Sequence, residues 1–565
     1  MTIKLTDYLS PAENNVTLAL RRAFSALSDG DTLELGGGVY DLFPDGAEVR
    51  NYFISNNDAG EKPIAFPIVG RTGITIDGGG ADLIFHGRIL PFAVDSSSDV
   101  TIKNLSIDYS SVWYSQAEII DADRYKTVLK FSDNSPCTVR NGNFCFPSEN
   151  GEDIFENVFA LEYQRDEVTE AAFPSPFKPP YFPYTGEKKD HGFLGGMYRD
   201  VSLEEVSPNI INMYGNLGFV HTVGNYLIMT HATREFPGIF ITDSKNVKIE
   251  SVRIYYASSM GVVAQLSENV SLDHVVAEPR PGSGRLLSLN ADATHYVNCR
   301  GKLSMTNCKF VSMNDDACNI HGIYALCKRL EAPERVICGF GHFQQRGINL
   351  CRPGDHVALI DRDTSETICT RYVVSSRLIS PDELEIVLDS GITLGGHYLI
   401  ENLSTAPEVY IADCESGYNR PRGFLLSSGG KTLVERCKFY NMNCGIQIGG
   451  EMRDWYESGA VSDVTIRDCD FTNSAYAGGT AIDISPKLYE KNPRDFFHGR
   501  IIIENNRFVQ SSRRIMRANL ARELIFKGNS FMLDESLPYH APNGETGVNV
   551  TNCGKIDVED VKEEF

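Results

Sequence analysis

No stretch of about 18 consecutive apolar residues occurs in this 565-residue chain, so no membrane-crossing helix is expected. Basic residues are short: 53 Lys and Arg stand against 75 Asp and Glu, a net charge of −22. Such a surface repels nucleic acid and anionic membrane, because both require a basic face. It also argues against a polyanionic substrate such as pectate, unless a local basic groove or Ca²⁺ intervenes, and a neutral sugar fits better. No cysteine pair shows C-x-x-C spacing, so zinc is not expected. The segment MTIKLTDYLSPAENN lacks a charged region followed by an apolar one, as a secretory leader requires. A cytoplasmic location is expected, or a secreted or periplasmic one if a leader has been removed. No long polar, aromatic-poor segment is present, so no disordered tail is expected.

What the chain does have is repetition. At 565 residues it exceeds one ordinary core, and a short pattern recurs along it: apolar, x, apolar, x, x, apolar, x, apolar. Copies are VTIKNLSI from Val100, VKIESVRI from Val247, VSLDHVVA from Val270 and LSMTNCKF from Leu303. Further copies are VYIADCES from Val409, TLVERCKF from Thr432, VTIRDCDF from Val464, IIIENNRF from Ile501 and LIFKGNSF from Leu524. Each reads as a strand, a tight polar bend and a second strand, with one apolar row inward. The bends carry Asn, Asp, Ser and Gly types that tolerate left-handed backbone. Val247 to Val270, Val409 to Thr432 and Ile501 to Leu524 each span 23 residues, the length of one coil. These strands are too short to stand alone, and stacking buries a continuous core. The expected fold is all-β: a right-handed parallel β-helix. Cys308, Cys414, Cys437 and Cys469 fall on apolar positions of the repeat and read as small core residues with free thiols.

Two stretches break the pattern and read as inserted antiparallel β-barrel-like subdomains. The expected organisation is a cap and first coils over 1–109, an insertion over 110–235, central coils over 236–353, a second insertion over 354–402 and final coils over 403–565. The first insertion contains AEIIDADRYKTVLKFS and the Pro-aromatic run FPSPFKPPYFPY. Either insertion could wall an active site. Residues 16–28 predict an amphipathic helix that caps the open end of the solenoid.

A solid β-helix leaves chemistry to its outer face, where residues one coil apart lie about 4.8 Å apart along the axis. Asp292, in SLNADATHY, precedes Asp315, in SMNDDACNIHG, by one coil of 23 residues, and Asp316 follows directly. The three carboxylates are expected in one external patch, with Asp315 and Asp316 sharing a face only at a bend. Crowded carboxylates raise at least one pKa, which supplies the acid and the base that glycoside hydrolysis needs. On residue logic alone, a Ca²⁺ site or bend-capping aspartates stay open.

Candidate sugar contacts are Asn290, His295, Asn319, His321, Arg420, Arg422, Glu451, Trp455 and Glu457. Trp455 is one of only two tryptophans and suits the C–H face of a pyranose, although packing on the solenoid is the ordinary alternative. Glu451 and Glu457 flank it as hydroxyl acceptors. Arg420 and Arg422 read as hydroxyl donors or as partners of a carboxylate. A lone histidine is more often structural than a ligand. The run Asp77–Gly80 lacks the G-x-x-x-x-G-K pattern of a phosphate loop and reads as a tight turn, with His86–Gly87 in the same coil.

Together, YFISNNDAGEKPIAFPIVG, ITIDGGGADLIFHGRILPF, VTIKNLSIDY, NADATHYVNCRG, MNDDACNIHG, NRPRGFLLSS and WYESGAVSDVTI resemble glycoside hydrolase family 110, the exo-acting α-1,3-galactosidases that act on blood-group B and related glycans. The resemblance runs through most of the chain. It implies a β-helix with β-barrel insertions, an inverting mechanism, no metal or other cofactor, a galactose-terminated glycan as substrate, and it suggests homodimers. It also implies that Asp292, Asp315 and Asp316 form the acidic centre. A fold-level analogy with polygalacturonase-like β-helices makes Asp315 the acid and sets Asp292 and Asp316 to hold the water. The alternatives are a Ca²⁺-dependent pectate-type lyase or other polygalacturonase-like enzyme, and a non-catalytic glycan-binding β-helix.

Overall fold

A computed structural model describes the chain except residues 11–14, 134, 148–152, 155–158, 166–171, 176–177, 185–197, 232–233, 490–494, 538–546 and 564–565. Pro176 and Phe177 of the Pro-aromatic run lie outside the described residues.

Parallel strands stack into a 22-stranded and a 13-stranded sheet that form the walls of a β-helix. Every copy of the repeat sits on the next. Val100 pairs with Val247, Val247 with Val270, Val270 with Leu303 and Leu303 with Val409. The series continues through Thr432, Val464, Ile501 and Leu524. The three 23-residue intervals are each one coil, and the longer gaps are loops and insertions between aligned strands.

The fifth residue of each copy bends the chain with left-handed backbone: Asn104, Ser251, His274, Asn307, Asp413, Arg436, Asp468, Asn505 and Gly528, all with φ between 53° and 62°. Arg436 holds this geometry without being one of the residue types that favour it, so position in the coil overrides local preference. In three successive later copies the eighth residue builds an aromatic column. Phe439 lies 4.8 Å from Phe471, which lies 4.9 Å from Phe508, each pair with nearly parallel rings. Cys308, Cys414, Cys437 and Cys469 are buried free thiols beneath the bends.

The capping helix runs Val16–Ala26 and buries Ala19, Leu20, Ala23 and Phe24 against the first coils. Asn15 accepts from the Thr17 N–H at 2.9 Å and caps its start. The first insertion is a seven-stranded antiparallel sheet between Tyr114 and Thr230. The second is a closed six-stranded barrel whose strands run from Ala325 to Asn402. It therefore begins well before residue 354. Its first strand, ALCKRLEA, is mostly exposed or half-buried, so its sequence carries no clear alternation, and it is held by pairing with Arg335–Phe340 and Tyr398–Asn402.

Candidate active site

Asp315 and Asp316 lie in the bend between Lys309–Val311 and the strand Cys318–Ile323, which lets neighbouring residues share a face. The coil above brings Asp292 to them: the Ala293 N–H donates to the Asp316 carbonyl at 2.8 Å. The coil below locks the bend, because the Asn419 amide donates to the backbone carbonyls of Asp315 at 2.8 Å and Arg422 at 2.6 Å. The three aspartates are not on an open outer face. They form part of a cavity of about 390 Å³, with Asp292 3% and Asp316 1% exposed. Asp315, its side chain 16% exposed, is the most open of the three. Phe159 of the first insertion and Trp455 overhang the same cavity. The first insertion and the loop that carries Trp455 thus turn what would be a groove into a pocket.

Two arginines divide the carboxylates between them. Arg234 Nη2 donates to Asp315 Oδ2 at 2.6 Å. Arg422 gives its Nε to both oxygens of Asp316, at 2.9 and 3.0 Å, its Nη2 to Oδ2, and its backbone N–H to Oδ1 at 3.1 Å. Burial raises the Asp315 carboxyl, but Arg234, Arg420 and Arg422 outweigh it and hold the group below its ordinary value. Burial and the neighbouring Asp315 charge push Asp292 well up. Burial pushes Asp316 up as well, against the pull of Arg422. The free protein therefore combines an ionised Asp315 with neighbours that resist ionising, the unequal carboxyls that acid–base chemistry uses.

His295 and His321 stand behind the carboxylates. His295 lines the pocket, while His321 is buried beyond it. His295 Nδ1 lies 2.7 Å from Asp292 Oδ2, and its Nε2 lies 3.0 Å from His321 Nε2. Both imidazoles are therefore engaged by protein groups rather than pointed at a sugar. Burial pushes His295 down to about 4 and also lowers His321. Glu457, on the short strand that pairs with the end of Cys318–Ile323, accepts from Asn56 Nδ2 at 2.8 Å and lies 3.6 Å from His321 Nε2. Burial raises its carboxyl, but His321, His295 and Arg422 outweigh this and hold it low.

The other expected contacts separate into two groups. Asn319, Arg420, Arg422, Trp455 and Glu457 line the cavity. Asn319 Oδ1 and Arg420 Nε are buried without a hydrogen-bond partner among the described residues, so both are available to a polar ligand. Asn290 does not line the cavity: its amide donates to Tyr256 Oη at 3.1 Å and to the Trp113 and Ser258 carbonyls. Glu451 lines the cavity, but its oxygens accept the backbone N–H groups of Arg453, Asp454, Trp455 and Tyr456. It organises the loop that carries Trp455. His342, from the second inserted unit, packs against the Trp455 ring at 4.1 Å. Replacing Glu451 with Ala orphans four donors and is expected to raise KM about tenfold with little change in kcat, and the same is expected of Trp455→Ala. Steady-state kinetics of both variants check this, and an unchanged KM in either removes that loop from substrate binding.

Residue logic missed Asn56, Arg234, His342, Gln447 and Lys487. Asn56 lies inside one of the segments that carry the family resemblance, and Arg234 sits where the first insertion returns to the solenoid. Among the described residues, no group of three or more His, Cys, Asp or Glu side chains is arranged to hold a metal ion.

Residues 335–395, within the closed barrel, match the family described as GLAA-B beta-barrel domain II. The chain is 29% identical to Alpha-1,3-galactosidase A of Shewanella woodyi, over 95% of this chain and 86% of that one. It is 30% identical to Alpha-1,3-galactosidase B of Phocaeicola vulgatus, over 91% of this chain and 86% of that one. Among solved structures, the tailspike protein of E. coli bacteriophage HK620 aligns with 98% of this chain and 65% of its own, at 10% identity and a TM-score of 0.42, too loosely to transfer residue roles.

Proposed function

We propose, for a chain that belongs to the α-1,3-galactosidase family, that its pocket takes the terminal galactose of a glycan and releases it by hydrolysis of the α-1,3 bond. One observation carries the reading beyond family membership: three carboxyls of unequal acidity lie together in a cavity overhung by Phe159 and Trp455. A walled cavity suits a chain end, whereas an open groove suits a polymer. The carboxylates already face Arg234 and Arg422, so a Ca²⁺ ion would have to compete with two guanidinium groups for them. This favours hydrolysis over a Ca²⁺-dependent lyase.

In the inverting scheme, one carboxyl protonates the leaving oxygen while another takes a proton from the attacking water. Asp315 serves as the acid: it is the most open of the three, where the aglycone leaves. Asp292 and Asp316 hold the water. Because Arg234 keeps Asp315 ionised in the free protein, Asp315 must gain its proton as substrate enters and that pair loosens. Arg234→Ala is expected to raise the Asp315 pKa. Asp315 titrates below Asp292 in the free protein, so it sets the acidic limb of the kcat/KM profile, and that limb then moves up by about one pH unit or more, the usual scale for a lost arginine partner. A profile that does not move would remove Asp315 from the acid–base pair.

The direct test follows sugar release from Gal-α-1,3-Gal and from the fucosylated B trisaccharide by proton NMR. β-Galactose appearing first is the expected result, and the ratio of rates defines tolerance of the fucose branch. First appearance of the α anomer would remove inversion, and no release from either substrate would remove the function.

A further inference from the structure

Asp292, His295 and His321 form a buried chain whose proton content can be counted. His321 Nδ1 lies 2.7 Å from the Gly322 carbonyl, which can only accept, so Nδ1 carries a hydrogen. The 3.0 Å contact between His321 Nε2 and His295 Nε2 needs one proton between two nitrogens. The 2.7 Å contact between His295 Nδ1 and Asp292 Oδ2 needs another. Three contacts thus require three protons on two imidazoles and one carboxyl, an assembly of net charge zero. At rest, with both imidazoles neutral, His295 is the Nε2–H tautomer, its Nδ1 accepts, and the third proton sits on Asp292. All three residues are at most 3% exposed.

A neutral Asp292 relieves repulsion with Asp315, but it cannot take a proton from water. We propose that His295 and His321 are positioning residues forming a two-hop relay that converts Asp292 into the base. Asp292 Oδ2 gives its proton to His295 Nδ1, and His295 Nε2 gives its proton to His321 Nε2. The three protons are conserved: Asp292 becomes a carboxylate, His295 stays neutral, and His321 becomes an imidazolium. Glu457 Oε1, 3.6 Å from His321 Nε2 and held by Asn56, faces the new charge. Water then attacks the anomeric carbon and gives a proton to Asp292 as the glycosidic bond breaks. Asp315 supplies the proton to the leaving oxygen. The extra proton on the chain leaves with product release. Arg234, Arg422, Asp315, Asp316 and Glu457 are the other charged groups acting on Asp292, and only His321 lies close enough to Glu457 to pair with it. This role rests on the hydrolase reading above.

His321→Gln keeps a donor and an acceptor but cannot carry a positive charge. Asp292 then holds its proton to higher pH. Turnover of Gal-α-1,3-Gal is expected to fall about 10- to 100-fold, a general-base effect, with the acidic limb of the kcat profile moved up by about one pH unit and KM unchanged. A limb that stays in place overturns the relay. Imidazole ¹⁵N spectra of the unaltered protein read the same claim without a variant. They are expected to show His295 protonated at Nε2 and His321 at Nδ1. A neutral His321 beside a His295 protonated at Nδ1 overturns the relay whatever the activity. Absence of galactose release by the unaltered enzyme would instead overturn the hydrolase reading.

Discussion

Asp315→Asn is expected to lower kcat on Gal-α-1,3-Gal by about 10²- to 10⁴-fold, the range for loss of a positioned acid, while the melting temperature changes little. Asparagine keeps the shape of aspartate, and the bend around residue 315 is tied by backbone groups: the Asn419 amide binds the Asp315 carbonyl, not its side chain. Arg234 loses its ionic partner, but its side chain is 27% exposed and remains hydrated. The substitution therefore removes a proton donor without leaving a fully buried charge. Comparing substrates separates this role from that of Asp292. An aryl galactoside with a good leaving group needs little acid assistance, so the Asp315→Asn enzyme should recover most of its rate on it. The Asp292→Asn enzyme, lacking the base, should not. Near-normal turnover of the disaccharide by Asp315→Asn would remove the carboxylate cluster from catalysis.

Arg422→Ala should be the most damaging change to the fold among the site residues, costing about 3–5 kcal/mol near neutral pH, the scale for breaking a buried ion pair by removing one partner. Asp316 is 1% exposed and takes three of its contacts from the Arg422 side chain, leaving only the residue 422 backbone N–H after truncation. The sign of the pH dependence follows. Asp316 already has a folded pKa above its ordinary value, and losing Arg422 raises it further. A carboxyl raised in the folded state favours the protonated form there. The penalty is therefore full above the folded pKa and shrinks as pH falls through it towards the unfolded value. Thermal or urea unfolding of the variant and the unaltered protein, from neutral to acid pH, should show a stability gap that narrows on acidification. A gap independent of pH would mean that Arg422 contributes packing rather than charge.

The nine repeat copies were legible because each carries its own period-two alternation, and their mutual register follows once they stack. The capping helix was legible because the helical spacing of its apolar residues lies within one short segment. The aspartate cluster was legible because coil length converts a 23-residue interval into spatial adjacency, so Asp292 and Asp315 could be brought together without knowing anything between them. Glu451 was misread as a sugar contact because a carboxylate before a tryptophan does not reveal that four backbone N–H groups will close around it. Asn290 was misread because the residues that capture its amide, Trp113 at the start of the first insertion and Tyr256 on another coil, are distant in sequence. The external patch became a buried pocket because the segments that overhang it, the first insertion and the Trp455 loop, carry no repeat to place them.

Sequence alone determined the solenoid, the identity of its inward rows and the three carboxylates on consecutive turns, since all of these depend on residues at most one coil apart. Only the tertiary structure decided which arginine meets which aspartate, and which groups stand behind them. Arg234 is 81 residues from Asp315, and Asn56 is 401 residues from Glu457. These distances are bridged by strand stacking and by two inserted units. Proton placement among carboxyls and imidazoles depends on burial and on charges only a few ångströms away, quantities that exist once the chain is folded and have no counterpart in its order.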